Sequence, residues 1–111
     1  MKIDSTEKYF IFLEPGEKVI QASRGLLDKA LQGKIILTDK KLFFGFYSNI
    51  SVDKQFIASH PYISHADLKE GMVYSAVTVS NKKKTFTISK INKKEARQLY
   101  VRLKEIADQN K

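Results

Sequence analysis

The side chains that could do chemistry in this 111-residue chain are few, and their spacing argues against most of the reactions they suggest. His60 and His65 are the only histidines. Five residues apart across Pro61, they share no helical face, and no third ligand stands near them in sequence, so no metal site is expected. Ser59-His60 and Ser64-His65 each set a hydroxyl beside an imidazole. Adjacent residues on a strand point to opposite faces, however, and the chain has no Gly-x-Ser-x-Gly elbow to present a nucleophile. Asp39 stands in a polar joint, "TDKK", where its carboxylate is expected to bond turn backbone. The five glycines are scattered and none forms a phosphate-cradling loop. With no cysteine, disulfides and thiolate chemistry are excluded. No catalytic residue and no cofactor are expected, and the chain reads as a non-enzyme.

Charge is the stronger signal. Twenty Lys and Arg face twelve Asp and Glu, a formal +8 that favours anionic partners or simply solubility. Lysines dominate, and arginine is the usual choice for forked phosphate recognition, which leans toward solubility. Lys82-Lys83-Lys84 is the densest run. At a hairpin tip it could touch anionic headgroups, at about 1 kcal/mol per lysine, or roughly a hundredfold in binding for three. The alternative is a solvated turn that discourages edge aggregation. Leu26-Leu27, in "GLLDKAL", if exposed, is a candidate contact for a partner or a bilayer; folded back, it would cover a barrel mouth. Tyr47, Tyr62 and Tyr74 offer stacking faces for nucleic acid, but basic and aromatic residues do not interleave along one strand and no recognition helix is visible.

The elements that must position these residues follow from hydrophobic period. With 42% apolar residues and twelve aromatics the composition is globular, and one domain over 1–111 is expected. A lead segment over 1–13 is read as a short helix ending near Leu13, with Asp4 and Glu7 as cap and Pro15-Gly16 as turn. Residues 14–91 read as strands: Glu17–Arg24, stopping at Gly25; a loop over Gly25–Gln32 that could include a helical turn; then Gly33–Thr38 and Lys41–Tyr47, a hairpin joined by the polar turn. Ser48–Asp53 reads as loop, Lys54–Ala58 as a short strand, and Tyr62–Lys69 and Met72–Ser80 as strands flanking Glu70-Gly71. Lys84–Lys90 alternates, with Phe86 and Ile88 inward.

The period then changes. Ala96, Leu99, Tyr100, Leu103, Ile106 and Ala107 recur at helical spacing, and Asn92 with Glu95 marks the start of a helix over 92–108. Burying Leu99, Tyr100, Leu103 and Ile106 supplies about 6–12 kcal/mol gross, so the helix must dock on the strands. The expected fold is mainly β, a small antiparallel barrel or sandwich whose open end the helix plugs.

"LEPGEKVI" (Leu13–Ile20), "GKIILTDKKLFF" (Gly33–Phe44) and "PYISHADLKEGM" (Pro61–Met72), followed by the terminal amphipathic helix, resemble the bacterial pleckstrin-homology-like (PH-like) domains of the YokE type. The resemblance runs over residues 13–108 and implies a bent, seven-stranded antiparallel barrel capped by a helix, the shape shared with GRAM domains. Two departures touch the middle of the chain: only Tyr62 separates Pro61 from Ile63, and Ser48–Ser59 has few apolar positions. Relatives that bind phosphoinositides have a basic pair in the first strand and an Arg-containing pair in the second; here the region offers Arg24, Lys29 and Lys34 without that pattern.

The expected function is therefore a binding or assembly module acting by protein–protein contact or self-association, through a strand edge or the barrel mouth. The runner-up is peripheral binding of anionic phospholipid through Arg24, Lys29, Lys34 and Lys82–Lys84, and nucleic-acid binding comes third. With no signal peptide and no apolar run near the roughly 18 residues that cross a bilayer, a cytoplasmic protein is expected, membrane-peripheral under the runner-up.

Overall fold

The computed structural model describes residues 6–48 and 51–111. Seven strands form one antiparallel sheet: β1 Val19–Leu27, β2 Leu31–Thr38, β3 Lys41–Tyr47, β4 Val52–Ser59, β5 His65–Glu70, β6 Tyr74–Ser80 and β7 Thr85–Asn92. Their order across the sheet is β4-β3-β2-β1-β7-β6-β5. One helix, α1, spans Lys93–Gln109, and 3-10 helices cover Thr6–Phe12 and His60–Tyr62.

Strand β1 is the seam. It pairs with β2 from Val19↔Thr38 to Leu27↔Leu31, but only Leu26 and Leu27 pair with β7. So short a junction, in strands that twist, lets the β1–β4 and β5–β7 halves share one core. Ile35, Leu37, Leu42, Phe44 and Ile57 from one half meet Val77, Val79, Ile88 and Ile91 from the other. Helix α1 adds Ala96, Leu99, Leu103 and Ala107, the stripe read from the sequence. Its start is held as expected, with Asn92 Oδ1 accepting from the Lys94 and Glu95 N–H groups at 3.0 and 3.3 Å.

The strand order leaves β4 and β5 as the sheet's two ends. Side chains tie that side together. Asn81 Nδ2 donates to the Ile57 carbonyl at 2.7 Å, and Asn110, just past α1, donates to the His60 and Ile63 carbonyls at 2.6 and 2.9 Å. Among the described residues no helix is long and apolar enough to cross a membrane.

Several boundaries differ from the sequence reading. Gly25 does not stop β1, which continues to Leu27, and Gly25–Gln32 contains no helical turn. The chain reverses through Asp28-Lys29-Ala30, with Asp28 and Lys29 at φ 50° and 64°, and the Asp28 N–H donates to the Thr87 carbonyl at 2.8 Å. That positive-φ pair is a tight-turn geometry that apolar periodicity does not register. Tyr62 belongs to the 3-10 turn containing Pro61, so β5 begins only at His65. Met72 and Val73 precede β6 instead of opening it. Strand β4 is longer than expected, starting at Val52, and β7 runs on to Asn92. The expected cap at Asp4 lies outside the described residues, as do Asn49 and Ile50 of the expected Ser48–Asp53 loop.

The lead segment is helical but 3-10, and its three-residue repeat matters. Residues three apart eclipse in this geometry. Thr6, Tyr9 and Phe12 thus face one way, onto the outer surface of β1–β3, while Phe10 and Ile11 face solvent at 48% and 72% exposure. Phe12 meets Phe43 edge-on at 5.9 Å between centroids. Tyr9 lies against Gly45, where a Cβ would come within 2.5 Å of the Tyr9 ring. This small second cluster, Tyr9, Ile36 and Phe43, sits on the face opposite the main core.

The polar joint between β2 and β3 locks to the residues before β1. The Thr38 hydroxyl donates to Glu17 and accepts from the Lys40 and Lys41 N–H groups at 3.1 and 3.0 Å. Asp39 accepts from the Lys18 N–H at 3.0 Å, a bond to distant backbone and not to its own turn. The Glu17 side chain, wholly buried, also accepts from the Glu14 N–H at 2.8 Å and Lys41 Nζ at 3.0 Å. Burial alone pushes its carboxyl pKa up, but these bonds outweigh burial and hold it below the usual carboxylate value.

Candidate functional site

A basic groove of about 550 Å³ lies on the outer surface of β1–β3, beside the 3-10 helix. Strands β1 and β2 supply Arg24, Leu26, Gln32 and Lys34; the 3-10 helix supplies Lys8 and Tyr9; β3 supplies Tyr47 and β7 supplies Lys90. Its volume falls within the range of small-molecule sites.

Arg24 and Lys34 stand directly opposite each other in the β1–β2 register. Like charges at such cross-strand positions cost stability, so they are an unusual choice for a purely structural pair. Lys34 Nζ donates to Thr6 Oγ1 at 3.1 Å. Its pKa is pushed below the ordinary lysine value, first by burial and then by the nearby Arg24 and Lys8 cations, with Glu95 opposing. Lys8 lies over the Tyr47 and Tyr9 rings at 4.8 and 5.3 Å from their centroids. Tyr9's own pKa is raised by burial and by Tyr47.

Lys90 reaches the groove by a backbone device. Between Ser75↔Ile91 and Val77↔Ile88, β7 has two residues where β6 has one, and Lys90 takes φ 59°. Strict alternation from Phe86 and Ile88 would send Lys90 inward; the bulge turns it out and seats Ile91 in the core at 0% exposure. The Lys90 ammonium also sits 6.0 Å from the Tyr74 ring centroid.

Of the residues singled out from sequence, the groove brings together Arg24, Lys34 and Leu26. Leu27 is 3% exposed within the core and is not available to a partner. Lys29 occupies the β1–β2 turn and does not line the groove. Neither do Lys82, Lys83 and Lys84, whose turn is organised by Asn81 Oδ1 accepting from the Lys83 and Lys84 N–H groups at 2.7 and 2.8 Å. Lys82 lies 5.8 Å from the Tyr62 ring centroid, and Lys84 5.0 Å from that of Phe86. The three tyrosines considered for stacking are each about half exposed but do not form one platform; Tyr47 lines the groove, while Tyr62 and Tyr74 do not. His60 spends its Nε2 on the Thr38 carbonyl at 2.7 Å, and His65 stands at the surface 3.9 Å from Asp67. Among the described residues no three His, Asp or Glu are grouped to hold a metal.

Sequence reasoning missed Lys8, Tyr9 and Lys90. For Lys90 a signal exists: Ile88 and Ile91, both apolar, stand three apart where a regular strand repeats every two. Lys8 has no comparable signal, since only the 3-10 geometry places it.

Residues 13–105 match the family described as bacterial PH domain. No curated protein matches the chain. PH domains are generally non-catalytic modules that bind proteins or lipids.

Proposed function

The chain belongs to the bacterial PH domain family, and on that premise we propose that it is a peripheral binding module for anionic phospholipid, holding a phosphate-bearing headgroup in the groove of Lys8, Arg24, Lys34 and Lys90. One observation carries the reading: cations from four separate elements converge on one groove, two of them in direct cross-strand register. A phosphate there relieves the mutual repulsion and gains charge-assisted hydrogen bonds, each worth about 1.5–3 kcal/mol. The site is built differently from the basic pairs along two strands of phosphoinositide-binding relatives, because Lys8 and Lys90 come from outside β1 and β2.

Protein–protein contact or self-association, put first by the sequence, would use a strand edge or the barrel mouth, and the edges are the two sheet ends. Strand β4 exposes Asp53, Lys54, Gln55 and Phe56, and β5 exposes His65, Asp67, Lys69 and Glu70, so that charged side chains flank both edges. Charged edges oppose strand-to-strand pairing, so lipid binding takes precedence over it.

Sedimentation with vesicles of phosphatidylcholine alone, or mixed with phosphatidylglycerol, tests the reading. Binding should require the anionic lipid and weaken as salt rises. Lys34→Glu combined with Lys90→Glu should lower it at least about tenfold, each reversed charge near the surface being worth more than about 1 kcal/mol. Lys29→Glu should have a smaller effect. Binding indifferent to salt, or unchanged in the double variant, overturns the proposal.

A further inference from the structure

The β5–β6 hairpin ends in a second feature that the groove does not use. Met72 is 97% exposed, Val73 69% and Tyr74 51%, a run of three large apolar side chains held in solvent. The tip is built to keep them there. The Gly71 N–H donates to the Tyr74 carbonyl at 3.0 Å, and the approach is close enough that a Cβ on Gly71 would lie 2.6 Å from that carbonyl oxygen. With the bases of the hairpin drawn together, Met72 and Val73 form the outward point.

The surroundings are cationic. Tyr74 pairs with Asn92 in the β6–β7 register, which brings the tip to the end of β7 and the Lys93-Lys94 start of α1. Lys69 is exposed on β5, and Lys90, a groove residue, has its ammonium over the Tyr74 ring at 6.0 Å. Glu70, the acid beside Gly71, is paired: Arg97 donates to its Oε1 from both Nη2 and Nε, at 2.6 and 3.0 Å.

We propose that Met72 and Val73 insert into the interfacial zone of an anionic bilayer while the groove holds a headgroup, with Tyr74 at the headgroup level and Lys69, Lys90 and Lys93 on the surrounding phosphates. The inference rests on the lipid reading of the groove and assigns that reading a second point of contact. A bilayer is the occupant that fits, for two reasons. The charge around the apolar point is complementary to anionic lipid. A projecting two-residue point also offers far less than the roughly 800 Å² per partner of a stable protein interface, whereas insertion needs only the point itself. Aromatic and basic residues flanking an inserted apolar segment match the composition of membrane interfaces.

The chain has no tryptophan, so Met72→Trp provides a single reporter. With vesicles of phosphatidylcholine mixed with phosphatidylglycerol, its emission should shift to the blue and be quenched by brominated acyl chains. Inorganic pyrophosphate should leave the emission unchanged while shifting amide resonances of β1 and β2. Met72→Ser with Val73→Ser should lower vesicle binding about 10- to 100-fold, the range expected for two partly buried apolar side chains, and leave the pyrophosphate response intact. Vesicle binding without a blue shift, or unweakened by the Ser pair, overturns the insertion alone. A blue shift that grows with protein concentration in the absence of vesicles also overturns it, in favour of a second copy of the chain. Loss of both the pyrophosphate and vesicle responses in the unaltered protein overturns the groove reading and the insertion together.

Discussion

Glu17, its side chain wholly buried, and Lys34, only partly buried, are charged side chains set against the β1–β3 strands, and their surroundings differ sharply. Around Glu17 the chain supplies a hydroxyl, a backbone N–H and an ammonium, all donating to one carboxylate. Around Lys34 it supplies Arg24 and Lys8, both of like sign, the hydroxyl of Thr6, and Glu95 as a partly opposing charge. Both pKa values end below their ordinary positions, for opposite reasons. The acid is stabilised in its charged form by its partners, and the base is destabilised in its charged form by burial and its neighbours. The fully bonded buried charge ties the fold together, whereas the partly buried lysine is held beside cations at a stability cost.

The largest effect is expected in the main core. Leu103→Asp places an unpaired charge under α1 at a position with 0% exposure. Its cost of about 4–5 kcal/mol is comparable to the whole stability of a small domain, so the far-ultraviolet spectrum should lose its native form. A cooperative, folded variant would show that α1 is not docked.

Glu17→Gln is next, at about 3 kcal/mol in urea unfolding, because Lys41 loses its counter-charge in a site where Glu17 is fully enclosed. The pH dependence has a definite sign. Glu17's folded pKa lies below its unfolded value near 4.5, so its contribution is present above that value and lost as pH falls through the lower folded pKa. The variant's stability should therefore change less than that of the unaltered protein on acidification below pH ~4.5. Lys34 works at the other extreme. Its lowered folded pKa means that folding gains stability as pH rises from that value toward 10.5, so Lys34→Gln should flatten the alkaline limb.

Gly45→Ala sharpens the contrast by joining the two regions' concerns, stability and affinity. The added methyl meets the Tyr9 ring, which should cost about 1–3 kcal/mol and unseat the 3-10 helix that carries Lys8. Reduced vesicle binding should accompany the lower midpoint. The smallest stability effect is expected for Lys34→Gln, within about 0.5 kcal/mol at neutral pH, although it should weaken vesicle binding several-fold. Loss of stability comparable to Glu17→Gln would mean that Lys34 is a structural residue after all.

The family motifs turn out to describe the first of these regions far more than the second. "LEPGE" and "LTDKK" contain Glu14, Glu17, Thr38 and Lys41, the members of the buried network. Short polar stretches with turn residues are conspicuous in sequence, and here they meet by flanking a hairpin. The groove has no such text. Arg24 and Lys34 stand out only as isolated basic residues, and their opposition depends on a register set by the Asp28-Lys29-Ala30 turn. The Lys82–Lys84 run, the most visible charge cluster, lies outside the groove.

What the sequence determined by itself is the set of local preferences. The 3.6-residue stripe from Ala96 to Ala107, the Asn92 cap and the β2–β3 hairpin follow from side-chain period and turn chemistry acting within a dozen residues. Tertiary structure decided which cations share a groove. Lys8 arrives by a three-residue helical repeat laid on Gly45, and Lys90 by a bulge that exists because Ile91 must be buried and a lysine cannot be. Convergence of this kind comes from packing constraints between elements far apart in the chain, which local propensity does not encode.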